Sequence, residues 1–255
     1  MLTHLGNGGA TTHLTTREKY HITEAWGGWN ITPKVRVMAA VPYSLTAKTN
    51  QGNTDSKNGL GDISLTGLYQ IINKRNTTQH SRLLVQSLWL GGGVKLATGT
   101  YNPADKAIQA QGLNLFQLGT GSYDFNITAM YDVRLQDAGI NVNTNYKINT
   151  ANRHHYQYGN KFTVNSQVYY KFRTKNKIML APNAGVQCET AQTDLDAQLK
   201  VFASGGNLLL GTLGVETIFG KYSLGANYQT PLSQNLANGL ARAQDRLMVH
   251  LAMTL

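Results

Sequence analysis

A chain of 255 residues can form one large domain or two small ones. Only 14% of it is charged, against roughly 25% in an ordinary soluble domain, while Gly is abundant (26) and Pro scarce (5). No run of about 18 apolar residues occurs, which excludes a membrane-spanning helix, and the single Cys188 excludes an intrachain disulfide or a metal site built on thiolates.

In chain order, the N-terminal Met1-Leu-Thr-His-Leu-Gly carries neither a basic nor an apolar targeting segment, so the chain either stays inside the cell or is a processed form. The polar Asn7-Gly-Gly-Ala-Thr-Thr stretch that follows reads as a loop. From Arg17 onward, alternation with period two marks strands with one apolar and one polar face. Eleven such segments are centred near Thr23, Met38, Thr66, Leu90, Thr128, Asn145, Gln167, Gly185, Leu213, Ala226 and Val249. The segment Tyr123–Leu135 shows the pattern well: Tyr123, Phe125, Ile127, Ala129, Tyr131, Val133 and Leu135 lie on one face, and Asp124, Asn126, Thr128, Met130, Asp132 and Arg134 on the other. No segment has a helical period.

Connections alternate in length. Short ones fall at Asn30–Pro33, Asn73–Ser81, Gln136–Gly139, Thr174–Asn176 and Gly220-Lys221; long ones at Leu45–Leu60, Ala97–Gly119, Thr150–Asn160, Thr190–Gly206 and Thr230–Gln244. Short turns on one rim and long loops on the other are the pattern of a bacterial outer-membrane barrel. Segments of about a dozen residues exceed the usual 5–6 of soluble sheets and match the about 9–11 that a tilted membrane strand needs. Trp26, Trp29, Tyr43, Tyr69, Tyr123, Phe172, Phe219 and Tyr222 lie towards strand ends, as interfacial girdles do. A soluble barrel or sandwich, with its apolar face inward, shares the alternation but not these three features.

Parity adds an expectation. The last strand ends at Leu255 on the short-turn side, so the first visible strand starts on the long-loop side. An even-stranded barrel with both termini periplasmic then needs one more strand before Arg17. The expected fold is therefore an all-β, antiparallel, up-and-down transmembrane barrel of about 12 strands whose first strand is missing from this sequence. Residues 1–16 would be an N-terminal loop or a remnant of the first hairpin, and residues 17–255 a single barrel domain.

The segments Gly59-Leu-Gly-Asp-Ile-Ser-Leu, Gly91-Gly-Gly-Val-Lys-Leu-Ala-Thr-Gly, Gln117-Leu-Gly-Thr-Gly-Ser-Tyr-Asp, Asn145-Tyr-Lys-Ile-Asn-Thr-Ala and Gly225-Ala-Asn-Tyr-Gln-Thr-Pro-Leu-Ser-Gln together resemble one family. It is the outer-membrane barrel "transporter" family, grouped with the meta-pathway phenol-degradation proteins and common in Bacteroidetes. The resemblance runs from about Thr15 to Leu255 and implies twelve strands, a cleaved signal and a location in the outer membrane. Two departures stand out: Ala97 replaces the family's usual Pro, and the chain ends in Leu255 where Phe is common.

Chemical motifs are few. The net charge of +10 invites a nucleic-acid partner, but the basic residues are scattered outside Lys74-Arg75 and Lys171–Lys177, and no reader motif accompanies them. Gly91-Gly-Gly-Val-Lys and Gly220-Lys221 lack the spacing and the following helix of a phosphate loop. His154-His155 point opposite ways on any strand and read as solvated loop residues. Cys188 shares the apolar face with Ala184 and Val186 and reads as a small filler. A barrel-borne hydrolase would need a Ser, a His base and an orienting group on one patch, and no such set is visible. The expectation is no catalysis, no metal and no cofactor.

If the apolar faces meet lipid, Val133, Val142, Val168, Leu213, Val249 and Leu251 face outward. The lumen then receives Arg36, Asp62, Lys95, Asp124, Asp132, Arg134, Lys147, Lys171, Arg173, Glu216 and Arg246, seven basic and four acidic groups. This set supports either a hydrophilic path favouring anions or a plug of salt bridges, since barrels near this size can be filled by their own side chains. The reading is an outer-membrane barrel serving as a narrow channel or transporter for small polar or anionic solutes. The alternatives are a non-conducting structural or partner-binding subunit and a soluble β-barrel binding protein. Outer-membrane lipid is the expected partner, other outer-membrane or periplasmic proteins are further candidates, and nucleic acid is excluded.

Overall fold

The computed structural model describes residues 2–4, 17–50, 52–78, 82–105, 114, 116–174 and 178–254. Its strands are, in chain order, β1 (Leu2–His4), β2 (Arg17–Thr32), β3 (Val35–Asn50), β4 (Asn53–Leu60), β5 (Ser64–Thr77), β6 (Leu83–Lys95), β7 (Asp124–Leu135), β8 (Ala138–Ile148), β9 (Tyr156–Gln157), β10 (Lys161–Tyr170), β11 (Phe172–Arg173), β12 (Ile178–Ala191), β13 (Leu195–Asp196), β14 (Leu199–Lys200), β15 (Gly206–Phe219), β16 (Tyr222–Leu236), β17 (Ala241–Ala243) and β18 (Arg246–Met253). Each of the eleven segments read from alternation is a strand in this set. All pairings are antiparallel.

The main sheet runs β10-β8-β7-β6-β5-β3-β2-β1-β17-β16-β15-β12, and β12 returns to pair with β10. The fold is an all-β, up-and-down barrel wall. Two of its staves are interrupted. β4 and β5 follow one another along β3, broken at Gly61, Asp62 and Ile63, and β17 and β18 follow one another along β16, broken at Gln244 and Asp245. The three-residue β1 joins β17 to the start of β2 at the long-loop rim. Below it, among the described residues, β2 is paired only with β3 and β18 only with β16, which leaves a seam of unpaired strand edges.

Register assigns the faces. Val133 pairs with Ile140, Ile140 with Val168, Val168 with Ala184, Ala184 with Leu213, Leu213 with Tyr228, and Tyr228 with Leu247, a continuous row on the outer face. Leu213, Val249 and Leu251 are 65%, 66% and 67% exposed there. The buried apolar clusters lie instead at the long-loop end: Tyr101 with Tyr156 and Val201, Ala203 with Ala237 and Ala241, and Leu208 with Leu210 and Ala243. The protein thus turns its largest apolar surface outward and keeps its core beneath the loops.

Two expectations need correcting. Leu45–Leu60 is no loop: β3 continues to Asn50 and β4 returns from Asn53, forming a hairpin that extends the wall. β4 carries polar residues on both faces (Asn-Thr-Asp-Ser-Lys-Asn), which removes the alternation by which strands are recognised. Trp26 does not belong to an outer girdle, because it pairs with Ala40, which pairs with Ser64, which pairs with Lys95 on the inner face. It remains 49% exposed because, among the described residues, β2 has no neighbour along the seam.

Candidate functional site

The inner face of the long-loop half carries the densest chemistry. β6 places Lys95 opposite Asp124, the first residue of β7, and β8 brings Lys147 alongside. Asp124 is fully buried and pairs with Lys95 (2.9 Å) and Lys147 (3.5 Å). It also accepts hydrogen bonds from the Ser122 hydroxyl (2.8 Å) and the Thr150 amide (3.0 Å). Lys95 reaches on to Asp62 and to the Thr120 hydroxyl. Asp62, in the break between β4 and β5, accepts from the amides of Gly99 (2.9 Å) and Thr120 (2.8 Å). This clamp needs the two loop strands to touch, since a Cβ on Gly119 would lie 2.6 Å from the Cα of Gly99. The row Asp62, Lys95, Asp124, Lys147 is balanced, two carboxylates against two ammonium groups.

A second group adjoins it along the wall. Glu189 of β12 pairs with Lys161 of β10 (2.6 Å) and with Arg246 of β18 (2.6 Å), and accepts from the Gln187 side chain (2.6 Å). Lys161 and Glu189 escaped the sequence-level lumen set although they share a face with Lys147. Both sit at a strand end where alternation gives way to loop, and only the register, with Lys161 opposite Lys147, places them.

The loops above form a cap. β9, β13 and β14 make a separate small sheet. There the Tyr156 hydroxyl donates to Asp194 (2.5 Å), which also accepts the Gly159 amide (2.7 Å). The Tyr158 hydroxyl donates to the carbonyl of Asn114 (3.0 Å), whose side chain donates to the Tyr101 hydroxyl (3.0 Å). Burial pushes the Tyr156 and Tyr158 hydroxyls well above the usual tyrosine range and raises the Asp194 carboxyl. His154 is half-buried and stacks on Tyr101 (centroids 5.6 Å), so it is part of the cap and not a solvated loop residue. Beneath the cap lies a cavity of about 400 Å³ bordered by Lys147, Lys161, Glu189, Arg246, Leu208 and Leu236.

The short-turn half of the lumen is looser. The Asn165 side chain donates to that of Gln187 (2.9 Å) and Asn143 to Asn141 (2.6 Å), and all four are half-buried. A second cavity of about 370 Å³ is bordered by Glu24, Trp26, Met38, Leu68 and Met130. The remaining charges of the expected lumen set are spread around this half. The Arg36 guanidinium donates to Asn30 (2.8 Å) and lies over the Trp89 ring. Asp132 accepts the Tyr169 hydroxyl (2.9 Å), over whose ring Lys171 lies. Glu216 pairs with His250 (3.0 Å). Arg134 donates to the carbonyl of Gln136 at the turn (2.8 Å). Arg173 departs from expectation: it sits in β11 at the rim, its side chain 67% exposed and paired with Asp137 of the neighbouring turn (3.2 Å), so it lines the mouth and not the wall. β11 is a two-residue strand after a break at Lys171, paired with β12 at its short-turn end.

On the outer face lie Val133, Val142 opposite Tyr131, Val168, Leu213, Val249 opposite Ala226 and Leu251 opposite Leu224. Cys188 is exposed on the same face, opposite Leu209. The Gly91-Gly-Gly run is an interior piece of β6, where a Cβ on Gly91 would come within 2.0 Å of the Gly67 carbonyl oxygen, so glycine there answers strand crowding.

Comparison with known proteins agrees with this architecture. A model of the family described as "Putative MetA-pathway of phenol degradation" matches residues 4–230. Among solved structures, an outer membrane channel of Pseudomonas putida F1 superposes with a TM-score of 0.59 at 11% identity, over 98% of this chain and 87% of that one. No curated protein matches the sequence.

Proposed function

The chain belongs to the family described as "Putative MetA-pathway of phenol degradation", and from that premise we propose that it is a Gram-negative outer-membrane barrel passing small polar or anionic solutes through a narrow, loop-capped lumen. The observation that carries this reading is the division of the wall. A continuous exposed apolar row faces outward, larger than a soluble monomer tolerates, while Arg36, Lys95, Lys147, Lys161 and Arg246 stand on the inner face with Asn and Gln between them. Likeness in fold to an outer membrane channel supports the same reading. The protein's partner on this reading is the lipid of the outer membrane, with no cofactor, no catalytic step and no nucleic acid.

A second reading has its own support. The Asp62–Lys95–Asp124–Lys147 row and the cap above it fill the long-loop end of the lumen, as expected of a non-conducting barrel that docks other outer-membrane or periplasmic proteins. Conductance separates the two. In planar bilayers the protein, its folding checked by a heat-modifiable gel shift, should conduct with anion preference. That preference should weaken as salt rises from about 0.01 M, where the screening length is about 30 Å. Replacing Lys147 and Lys171 together with Gln should move the reversal potential towards cations. Correct insertion without conductance favours the structural reading.

A further inference from the structure

We propose that the cavity beneath the cap is a binding site for a small organic monoanion with a compact apolar body, such as a carboxylate or sulfonate on a ring or short branched chain. The inference rests on the transport reading only in taking the lumen as the ligand's route. Its volume of about 400 Å³ falls within the range of roughly 300–1,000 Å³ usual for small-molecule pockets.

The charge count selects an anion. Of the two ionic groups that reach the cavity, the row ending in Lys147 is balanced. In the other, one carboxylate, Glu189, serves two cations, Lys161 and Arg246. Both Glu189 oxygens are already engaged, by Lys161 on one side and by Arg246 and Gln187 on the other. Within that group the cations outnumber the carboxylate by one, in a partly enclosed space where an opposite charge is worth more than in bulk water. Asp194 also borders the cavity. Both its oxygens are already engaged by the cap, accepting the Tyr156 hydroxyl and the Gly159 amide.

The adjoining wall selects the body. Leu208 is the register partner of Glu189 on the neighbouring strand β15, and Leu236, Ala237 and Ala243 continue the surface. An inorganic anion would satisfy the charge and leave this wall facing water. A ligand with a compact hydrocarbon body meets both, and the removal of apolar surface from water adds to its affinity.

Isothermal titration of the purified full chain in detergent tests this with three probes: cyclohexanecarboxylate, acetate and cyclohexylmethanol. The first should bind at least ten-fold more tightly than either of the others. Arg246→Gln, and independently Lys161→Met in case the first variant fails the gel-shift check for folding, should each reduce its affinity about ten-fold. Equal binding of acetate would leave only a charge effect, equal binding of cyclohexylmethanol only an apolar one, and no binding no site; each overturns the proposal. Potassium chloride conductance measured on the same preparation keeps the two ideas apart. Conductance without cyclohexanecarboxylate binding sinks the site and leaves the channel, whereas binding without conductance sinks the channel and leaves the site.

Discussion

The two halves of the barrel are built from the same strands and differ in almost everything else. β6, β7, β8, β10, β12, β15 and β16 run through both, with the same alternation. At the long-loop end their inner face is sealed by the cap and holds Asp124, Leu208, Leu210, Gln229 and Tyr156 out of solvent. At the short-turn end the same face carries half-buried Asn and Gln and a cavity walled by Trp26 and Met38. A strand pattern therefore decides which way a side chain points, but the loops decide whether the place it points to is wet. That changes what a charge is worth. Lys95 and Asp124 interact in a space the cap has dried, and Glu216 and His250 in one that water reaches. By the usual asymmetry, removing one partner of a buried pair costs several kcal/mol and removing one of an exposed pair costs little.

The largest effect should follow from opening the dry half. Asp124→Asn keeps the shape and removes the charge that Lys95 and Lys147 share. Loss of one member of a buried ionic group costs about 3–5 kcal/mol, and the lower end is expected because Lys95 retains Asp62. Urea unfolding of the protein in liposomes, followed by tryptophan fluorescence, measures it. A cost below about 1 kcal/mol, the level of an exposed pair, would mean that the two halves do not differ in dielectric character.

The outer face offers a change of similar scale with a different cause. Leu213→Arg, at the middle of β15, should cost about 2–4 kcal/mol, the penalty for a basic side chain near the bilayer midplane. The same titration in liposomes reads it, and wild-type folding yield would count against a lipid-facing wall. Met248→Arg, on the inner face of β18, is the control and should cost much less.

These contrasts also show which features the sequence made legible. Every long strand was visible, because the wall has an apolar side and a polar side and side chains alternate between them. The lumen charges from Lys95 to Lys147 followed from the same parity. Failures occur where that two-solvent rule lapses. β4 carries polar residues on both faces and so reads as loop. Trp26 looked like a girdle residue by its place near a strand end, but register turns it inward. Lys161 and Glu189 lie where strand passes into loop. The cap was invisible, since Asn114, Tyr156 and Asp194 come from segments far apart in sequence and are assembled by hydrogen bonds between irregular loops, which leave no period to read.

A smaller effect should come from the cap itself. The Asp194 carboxyl is raised by burial, so it holds its proton more tightly folded than unfolded. A group of this kind adds stability that is complete below its unfolded value and is lost as pH rises through its folded value. Hydrogen exchange of the amides of β13 and β14 should therefore quicken as pH climbs past the ordinary carboxylate range, after correction for intrinsic exchange. In Asp194→Asn that dependence should vanish. If it persists, the cap is being loosened by another group, and the short-turn half, whose described turns carry no carboxyl buried in this way, provides the baseline.

The smallest effect is expected from Glu216→Gln. Its side chain and that of His250 are 27% and 46% exposed, and the pair stands in the wetter half. The contact includes a hydrogen bond from the imidazole to the carboxylate, which glutamine can replace in part. The cost should stay within about 0–1 kcal/mol, as for exposed pairs in general. It should shrink further in 1 M salt, where screening acts over about 3 Å. Measured in the same liposomes as Asp124→Asn, the ratio of the two costs becomes the direct gauge of how unlike the halves are. A Glu216→Gln cost equal to that of Asp124→Asn would show the short-turn lumen to be as dry as the capped end, and the narrow aqueous path would have to be given up.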